Sequence, residues 1–335
     1  MRIGLAYDLK ESVSSGSAQT DDALEEYDSV ETVEGIEAAI ESQGHSVVRL
    51  GGGRDFLANI VKEKIDFVFN IAEGRGTYRS REAQVPSVLE MLDIPYLGSD
   101  PQCLSICMDK PLAKKLVASA GVRVPREVVI TSGDQGKGID WKGFPFPAII
   151  KPACDGSSRG IRFSSLVENA AQAMTVAADL LGKYRQPILV EEFIAGEEVT
   201  VGLLGNSPLK ILGMMRIIPR KRTDRFVYSL EVKRDWKQMV EYECPARLER
   251  DILKKITDSS MKAFEVLGCR DFSRIDFRIS RDGTPYFLEI NPLPGLNPNY
   301  SDLPIMVGKM GMAYQALISG ILNAALKRYP QCVLR

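Results

Sequence analysis

The stretch from Ser273 to Asn291 constrains the fold more than any other part of the chain. Ser273-Arg-Ile-Asp-Phe-Arg-Ile-Ser280 alternates polar with apolar residues, Asp282-Gly283 marks a tight turn, and Tyr286-Phe-Leu-Glu-Ile-Asn291 returns as a second strand. Read as a hairpin with a two-residue turn, Arg281 faces Thr284, which sets Asp276 opposite Glu289 and Arg274 opposite Asn291. Two carboxylates then share one sheet face and repel each other unless a counter-charge lies between them. Oxygen donors so spaced suit Mg²⁺. The plainer alternative is that Arg274 and Arg278 pair with these acids on a solvated face. Ile275, Phe277, Ile279, Leu288 and Ile290 form the other face and are expected in a core.

The first third of the chain alternates strand and helix signals. Arg2 to Tyr7, Ser46 to Leu50 and Ile65 to Asn70 read as strands, and Ser29 to Ser42 as an amphipathic helix, which predicts a parallel sheet covered on both faces. Residues 10 to 26, rich in Ser, Asp and Glu, read as a mobile loop. A boundary near Gly98-Ser-Asp-Pro101 precedes a helix from Lys110 to Gly121. Strands at Val128 to Thr131, Ala148 to Lys151 and Ile188 to Phe193, with a helix from Val167 to Leu181, make a second lobe. Gly196 and the strand Glu198 to Leu204 open a third, which ends in a helix near Met312 to Lys327. The expected domains are 1–107, an N-terminal α/β substrate domain; 108–194, a central lobe; and 195–330, a C-terminal lobe with the metal site.

A net charge of −1 gives no field that would gather nucleic acid or anionic lipid, so small-molecule partners are expected. No apolar run approaches a membrane span, and Met1-Arg-Ile-Gly-Leu-Ala-Tyr7 reads as a strand rather than a signal peptide, which points to the cytoplasm. The six cysteines have no CxxC pair and no regular spacing, so reduced, mostly buried thiols are expected rather than a disulfide framework or zinc site. Cys332-Val-Leu-Arg335 has the outline of a prenylation box, but Arg is not a usual terminal residue for one. The single histidine, His45, follows a helix-ending Gly44 and argues against histidine-based chemistry.

Two further segments are candidates for holding phosphate and a flat ring. Lys151-Pro-Ala-Cys-Asp-Gly-Ser-Ser-Arg-Gly160 follows an apolar strand and lacks the Walker spacing, but its backbone N–H groups could close on phosphate oxygens beside a strand-end lysine. Ile188-Leu-Val-Glu-Glu-Phe-Ile194 ends in carboxylates and enters Gly196-Glu-Glu198, a hinge suited to a ring between apolar side chains and ribose hydroxyls on a carboxylate. An ordinary turn and a solvated strand end are the plainer readings.

In this order the elements resemble the ATP-grasp superfamily, most closely D-alanine–D-alanine ligase-like proteins, over nearly the whole chain. The pieces are Met108-Asp-Lys110, Lys151-Pro with Gly156-Ser-Ser158, Glu191-Glu-Phe-Ile194 with Glu198, Ser273-Arg-Ile-Asp276, and Leu288-Glu-Ile-Asn-Pro-Leu-Pro-Gly295. Asn70-Ile-Ala-Glu-Gly74, Gln84 to Glu90 and Ile94 to Gly98 fit the same family. The resemblance implies a three-lobed fold, α/β and α+β, in which an N-terminal parallel-sheet domain precedes two lobes that clasp ATP. It implies an ATP-dependent ligase that joins a carboxylate to an amine through an acyl phosphate, with amino acids or peptides as substrates, Mg²⁺ or Mn²⁺ as the metal, and a homodimer.

By the same resemblance Lys110, Lys151 and the lid loop Gly156, Ser157 and Ser158 hold phosphates. Glu191, Glu192, Phe193 and Ile194 surround adenine, and Glu198 takes the ribose. Asp276, Glu289 and Asn291 bind metal, Arg274 steadies the reacting centre, and Lys233 reaches toward ATP. Glu26 and Ser157 correspond to the family's substrate-holding glutamate and serine, and Gly295 lies by the substrate. The chain departs from the pattern where Arg234 replaces the expected tyrosine, where Arg159 follows the serine pair, and where Arg75, Arg79 and Arg81 crowd the N-terminal segment. Three arginine-bearing segments converging on the pocket suggest a substrate with an additional acidic group. Phosphoryl transfer to a stable acceptor and a non-catalytic nucleotide sensor are the competing readings.

Overall fold

The computed structural model describes residues 1–13, 20–133 and 138–333. β1 (Arg2–Ala6), α1 (Val30–Glu41), β2 (Ser46–Gly51), α2 (Gly53–Lys62) and β3 (Phe67–Asn70) build a three-stranded parallel sheet in the order β2-β1-β3, followed by α3 (Gln84–Met91). The Ser29 hydroxyl caps α1 by accepting from the Thr32 N–H, which sets where that helix starts. α4 (Pro101–Met108) and α5 (Lys110–Ser119) follow, each begun by an aspartate cap and a proline in its first turn.

The central sheet contains β4 (Glu127–Ile130), β5 (Ala148–Pro152) and β6 (Leu166–Val167), with α6 (Ala170–Tyr184) leading to β7 (Ile188–Glu192). Its order is β4-β7-β5-β6 and all its pairings are antiparallel. The last sheet opens with β8 (Gly196–Leu204) and β9 (Lys210–Pro219). α7 (Leu230–Arg234), α8 (Trp236–Met239), β10 (Val240–Glu243), α9 (Arg250–Val266), β11 (Phe272–Ser280) and β12 (Pro285–Asn291) complete it in the order β10-β9-β8-β11-β12. α10 (Asp302–Lys309) and α11 (Tyr314–Leu326) follow, and α11 buries Leu317, Ile318 and Ile321 in the same core as Ile3, Val33 and Phe69 of the first sheet and its helix. The chain's end thus staples the last lobe to the first. No single helix among the described residues is long and apolar enough to cross a membrane.

The hairpin differs from expectation in its turn and agrees in its register. Ser280 donates its N–H to the Thr284 carbonyl, so three residues, not two, make the loop, with Gly283 at φ +78°. That is the geometry in which a left-handed glycine closes a bulged turn. It pairs Phe277 with Phe287 and Arg278 with Tyr286. An irregularity after Asp276 absorbs one residue, and Asp276 then faces Glu289 and Arg274 faces Asn291, as predicted. The extra residue is Leu288. It turns to the cleft, and Phe287 replaces it in the core beside Ile275, Phe277, Ile279 and Ile290.

Residues 20–26 do not form the expected mobile loop, and residues 14–19 lie outside the described residues. Asp22 is fully buried, accepting from Gly160 N at 2.9 Å and from the Tyr184 hydroxyl at 2.6 Å. Acids that read as solvated in the sequence are here paired with groups from the central lobe. Residues 334–335 of the terminal box also fall outside the described part.

Candidate active site

A cavity of about 350 Å³ lies where the three lobes meet. Its walls come from the 25–28 segment, the Gly156-Ser157 loop, α7 and the strand end Asn291 to Gly295. Arg274 and Asn291 line it, and behind them Asp276 accepts hydrogen bonds from Arg274, at 3.1 Å from Nε and 2.8 Å from Nη2, and one from the Thr200 hydroxyl at 2.6 Å. Arg274 is buried and also faces Asp302 at 3.7 Å, and these two acids outweigh burial to hold its pKa above the ordinary value. Glu289 lies 3.3 Å from the Lys110 ammonium. Burial would raise its pKa, but Lys110, Lys151 and Arg274 overcome that and hold it ionised. The counter-charge that the opposed acids require is therefore present in the protein itself, from Arg274 and Lys110. Arg278 does not join them: it pairs with Glu198 at 3.1 Å and donates to the carbonyls of Ile194, Phe226 and Gly196.

Lys110 starts α5, and its ammonium caps the Asp155 carbonyl at the entrance of the glycine-serine loop. Lys151, at the end of β5, reaches Glu191 at 3.0 Å, and burial depresses its pKa to about 8. Glu191 is buried with its carboxylate between Lys151 and Lys114, and it also lines the slot formed by Glu192, Phe193 and Ile194. Lys114 was missed by the sequence reading, although its position one turn after Lys110 on an amphipathic helix puts both on one face. Phe193, Ile194 and Leu288 line an apolar slot with Glu192 and Glu198 at its edge. The Arg278 guanidinium stacks 4.6 Å from the Phe193 ring centre. Burial pushes the Glu198 carboxyl up to about 7 despite Arg278.

Ser157 and Ser158 both adopt left-handed backbone, at φ +50° and +58°, a conformation held at a cost in non-glycine residues. Two contacts hold it: Glu26 accepts the Gly156 N–H, and the Ser158 hydroxyl donates to the Tyr228 carbonyl at 3.0 Å. Glu26 also receives Arg81 at 2.6 and 2.7 Å and Arg159 at 2.8 Å. Arg234 is bound by Glu25 at 2.6 Å and Asp21 at 3.3 Å. Arg75 pairs with Asp8 and Arg79 with Asp109. The arginines that suggested an acidic substrate group are thus already neutralised by the chain's own carboxylates, which removes the basis for that expectation.

The wall carries the opposite surplus. Asp28, Glu73 and Glu82 line the cavity without an ion-pair partner among the described residues. Burial raises all three pKa values, that of Asp28 to about 7. Lys233 sits across the cavity with its ammonium 5.1 Å from the Tyr228 ring centre, and Gly295 lies beside Ser301, whose Oγ a methyl group would meet at 2.8 Å. The structure thus gathers Arg274, Ser157, Glu26, Lys233, Asn291 and Gly295 around one cavity. Lys110 and Glu289 lie in a smaller recess beside it.

Residues 116–323 match the family described as D-ala D-ala ligase C-terminus. The D-alanine–D-alanine ligase of Aquifex aeolicus is 35% identical over 88% of this chain and 94% of its own. Among solved structures, the ATP complex of the D-alanine–D-alanine ligase of Bacillus anthracis superposes with a TM-score of 0.74 at 23% identity, covering 99% of both chains. The VanG D-Ala:D-Ser ligase of Enterococcus faecalis gives 0.72 at 20% identity, over 97% of this chain and 99% of its own. At such identities the structures speak for a shared fold.

Proposed function

Because the chain belongs to the D-alanine–D-alanine ligase family of ATP-dependent, C–N bond-forming ligases, we propose that its central cavity joins two small D-amino acids. The first substrate's carboxylate takes the γ-phosphoryl group of ATP, breaking the bond to ADP. The second substrate's neutral amine then attacks the acyl carbon, loses a proton and releases phosphate. D-alanine is the expected substrate at both positions.

In this reading Phe193, Ile194 and Leu288 hold adenine and Glu198 the ribose, while Lys110, Lys151 and the backbone of Gly156 to Ser158 hold phosphates. The donors of Asp276, Glu289 and Asn291 fit a hard divalent ion, because all are oxygen-bearing, converge on one hairpin face, and include a carboxylate held ionised. Mg²⁺, or Mn²⁺ in its place, would neutralise phosphate charge there. Arg274 stabilises charge at the reacting carbon, Lys233 reaches the cavity from α7, and the surplus carboxylates receive the substrates' ammonium groups. Walls from all three lobes exclude water from the acyl phosphate. The lobes are taken as 1–107, 108–194 and 195–330, the enzyme as a cytoplasmic homodimer.

The observation that carries the reading is the opposition of Asp276 and Glu289 on the hairpin, between Arg274 and Lys110. D-alanine-dependent ADP release by the wild type, lost in Asp276→Asn and Glu289→Gln while D-alanine still binds, is the expected result. Release that is indifferent to D-alanine, or retained in both variants, would overturn it.

A further inference from the structure

Three thiols converge outside the cavity. Cys103 and Cys107 stand one turn apart on α4, and Cys269 precedes β11. The Cys103 sulfur is 3.8 Å from that of Cys107 and 3.6 Å from that of Cys269, and all three sulfurs lie within 4.8 Å of one another. Three thiolates bound to one pyramidal centre with bonds of about 2.3 Å sit about 3.3–3.5 Å apart, so small side-chain shifts would bring these sulfurs to the span of a shared ion. The side chains are 2%, 5% and 7% exposed and sit in the apolar core with Val117, Ile275 and Phe287. Cys107 also borders the small recess that contains Lys110 and Glu289.

Charge selects the class of ion. Three thiolates around a divalent metal leave a net negative charge in an apolar core. The neighbouring cation, Arg270, is engaged by Asp100 at 2.6 Å. Three thiolates around a trivalent centre are neutral. We propose that Cys103, Cys107 and Cys269 form a binding site for a trivalent thiophile of the arsenite class. Arsenite enters as neutral As(OH)3. Three As–S bonds form, three As–O bonds break, and each thiol proton leaves with a hydroxide as water, with no change of oxidation state. The complex would tie α4 to the root of β11, the strand that carries Arg274 and Asp276.

The test titrates arsenite into the full chain, kept reduced with a phosphine because dithiol reductants would compete, and reads bound arsenic by native mass spectrometry after desalting. The expected result is one arsenic per chain with three hydrogens displaced. Cys103→Ala, Cys107→Ala and Cys269→Ala should each weaken binding roughly tenfold or more, with Cys154→Ala and Cys332→Ala at wild-type affinity. Circular dichroism checks each fold, and the serine variant replaces any alanine variant that does not fold. No retained arsenic, retention that survives Cys269→Ala, or retention of Zn²⁺ in preference to arsenite would overturn the proposal.

Discussion

Arg274 is held in place by acids on two sides, Asp276 and Asp302, so its guanidinium is fixed before any substrate arrives. A lysine there keeps the charge and loses the planar fork that grips Asp276 with two nitrogens. Arg274→Lys is expected to lower kcat by roughly 100-fold, about 2.7 kcal/mol of transition-state stabilisation, with KM for ATP nearly unchanged. A large rise in KM with kcat retained would assign Arg274 to ground-state binding. The cavity carboxylates give a pH dependence of opposite sign to that of most acids. Burial raises the pKa values of Asp28 and Glu82 above their unfolded values. Their stabilising contribution is therefore full below the ordinary carboxylate range and is lost as pH rises through about 7. Tm of the ligand-free protein should fall between about pH 5 and pH 7, and Glu82→Gln should flatten that fall. An ammonium substrate favours the ionised forms, so amino-acid binding should tighten over the same interval, measured as KM against pH. At this scale the sequence disclosed the opposed carboxylates and Arg274, because strand alternation fixes which side chains share a face. It hid the pairing of Arg159 and Arg234 with Glu26 and Glu25, which are more than 100 residues away in the chain.

β11 and β12 reach the predicted register by a different path. A three-residue turn shifts the pairing by one, and the bulge at Leu288 shifts it back. The bulge has a use, since it turns Leu288 into the apolar slot beside Phe193. Neither device is legible in alternation alone, because Asp282-Gly283 suits both turn lengths. Gly283→Ala places a side chain at φ +78° and 3.0 Å from the Ile252 methyl. It should destabilise the protein by about 1–2 kcal/mol in urea unfolding and leave kcat within a factor of about two. Loss of activity without loss of stability would mean that the turn governs the site directly. α4 and the elements from β9 to α9 were less legible, as their apolar residues are divided among cores shared with other elements.

Across the whole molecule, carboxylates from the first lobe hold the other two. Glu26 grips the glycine-serine loop, and Glu25 with Asp21 grips α7 through Arg234. Arg234→Ala cuts the second tie without touching Arg274 or the hairpin. KM for the amino acid should rise several-fold while ATP binding, read by calorimetry, stays unchanged. Equal weakening of both would place Arg234 in the nucleotide site instead. Three sheets in the right order could be read from the sequence, whereas the packing of α11 on the first sheet could not, since an apolar helix does not name its partner. The central claim is that a substrate carboxylate accepts phosphate before the C–N bond forms. With D-alanine labelled by heavy oxygen in its carboxylate, one labelled oxygen should appear in each inorganic phosphate released. Unlabelled phosphate, or a phosphoryl group retained on a stable acceptor, would contradict the account.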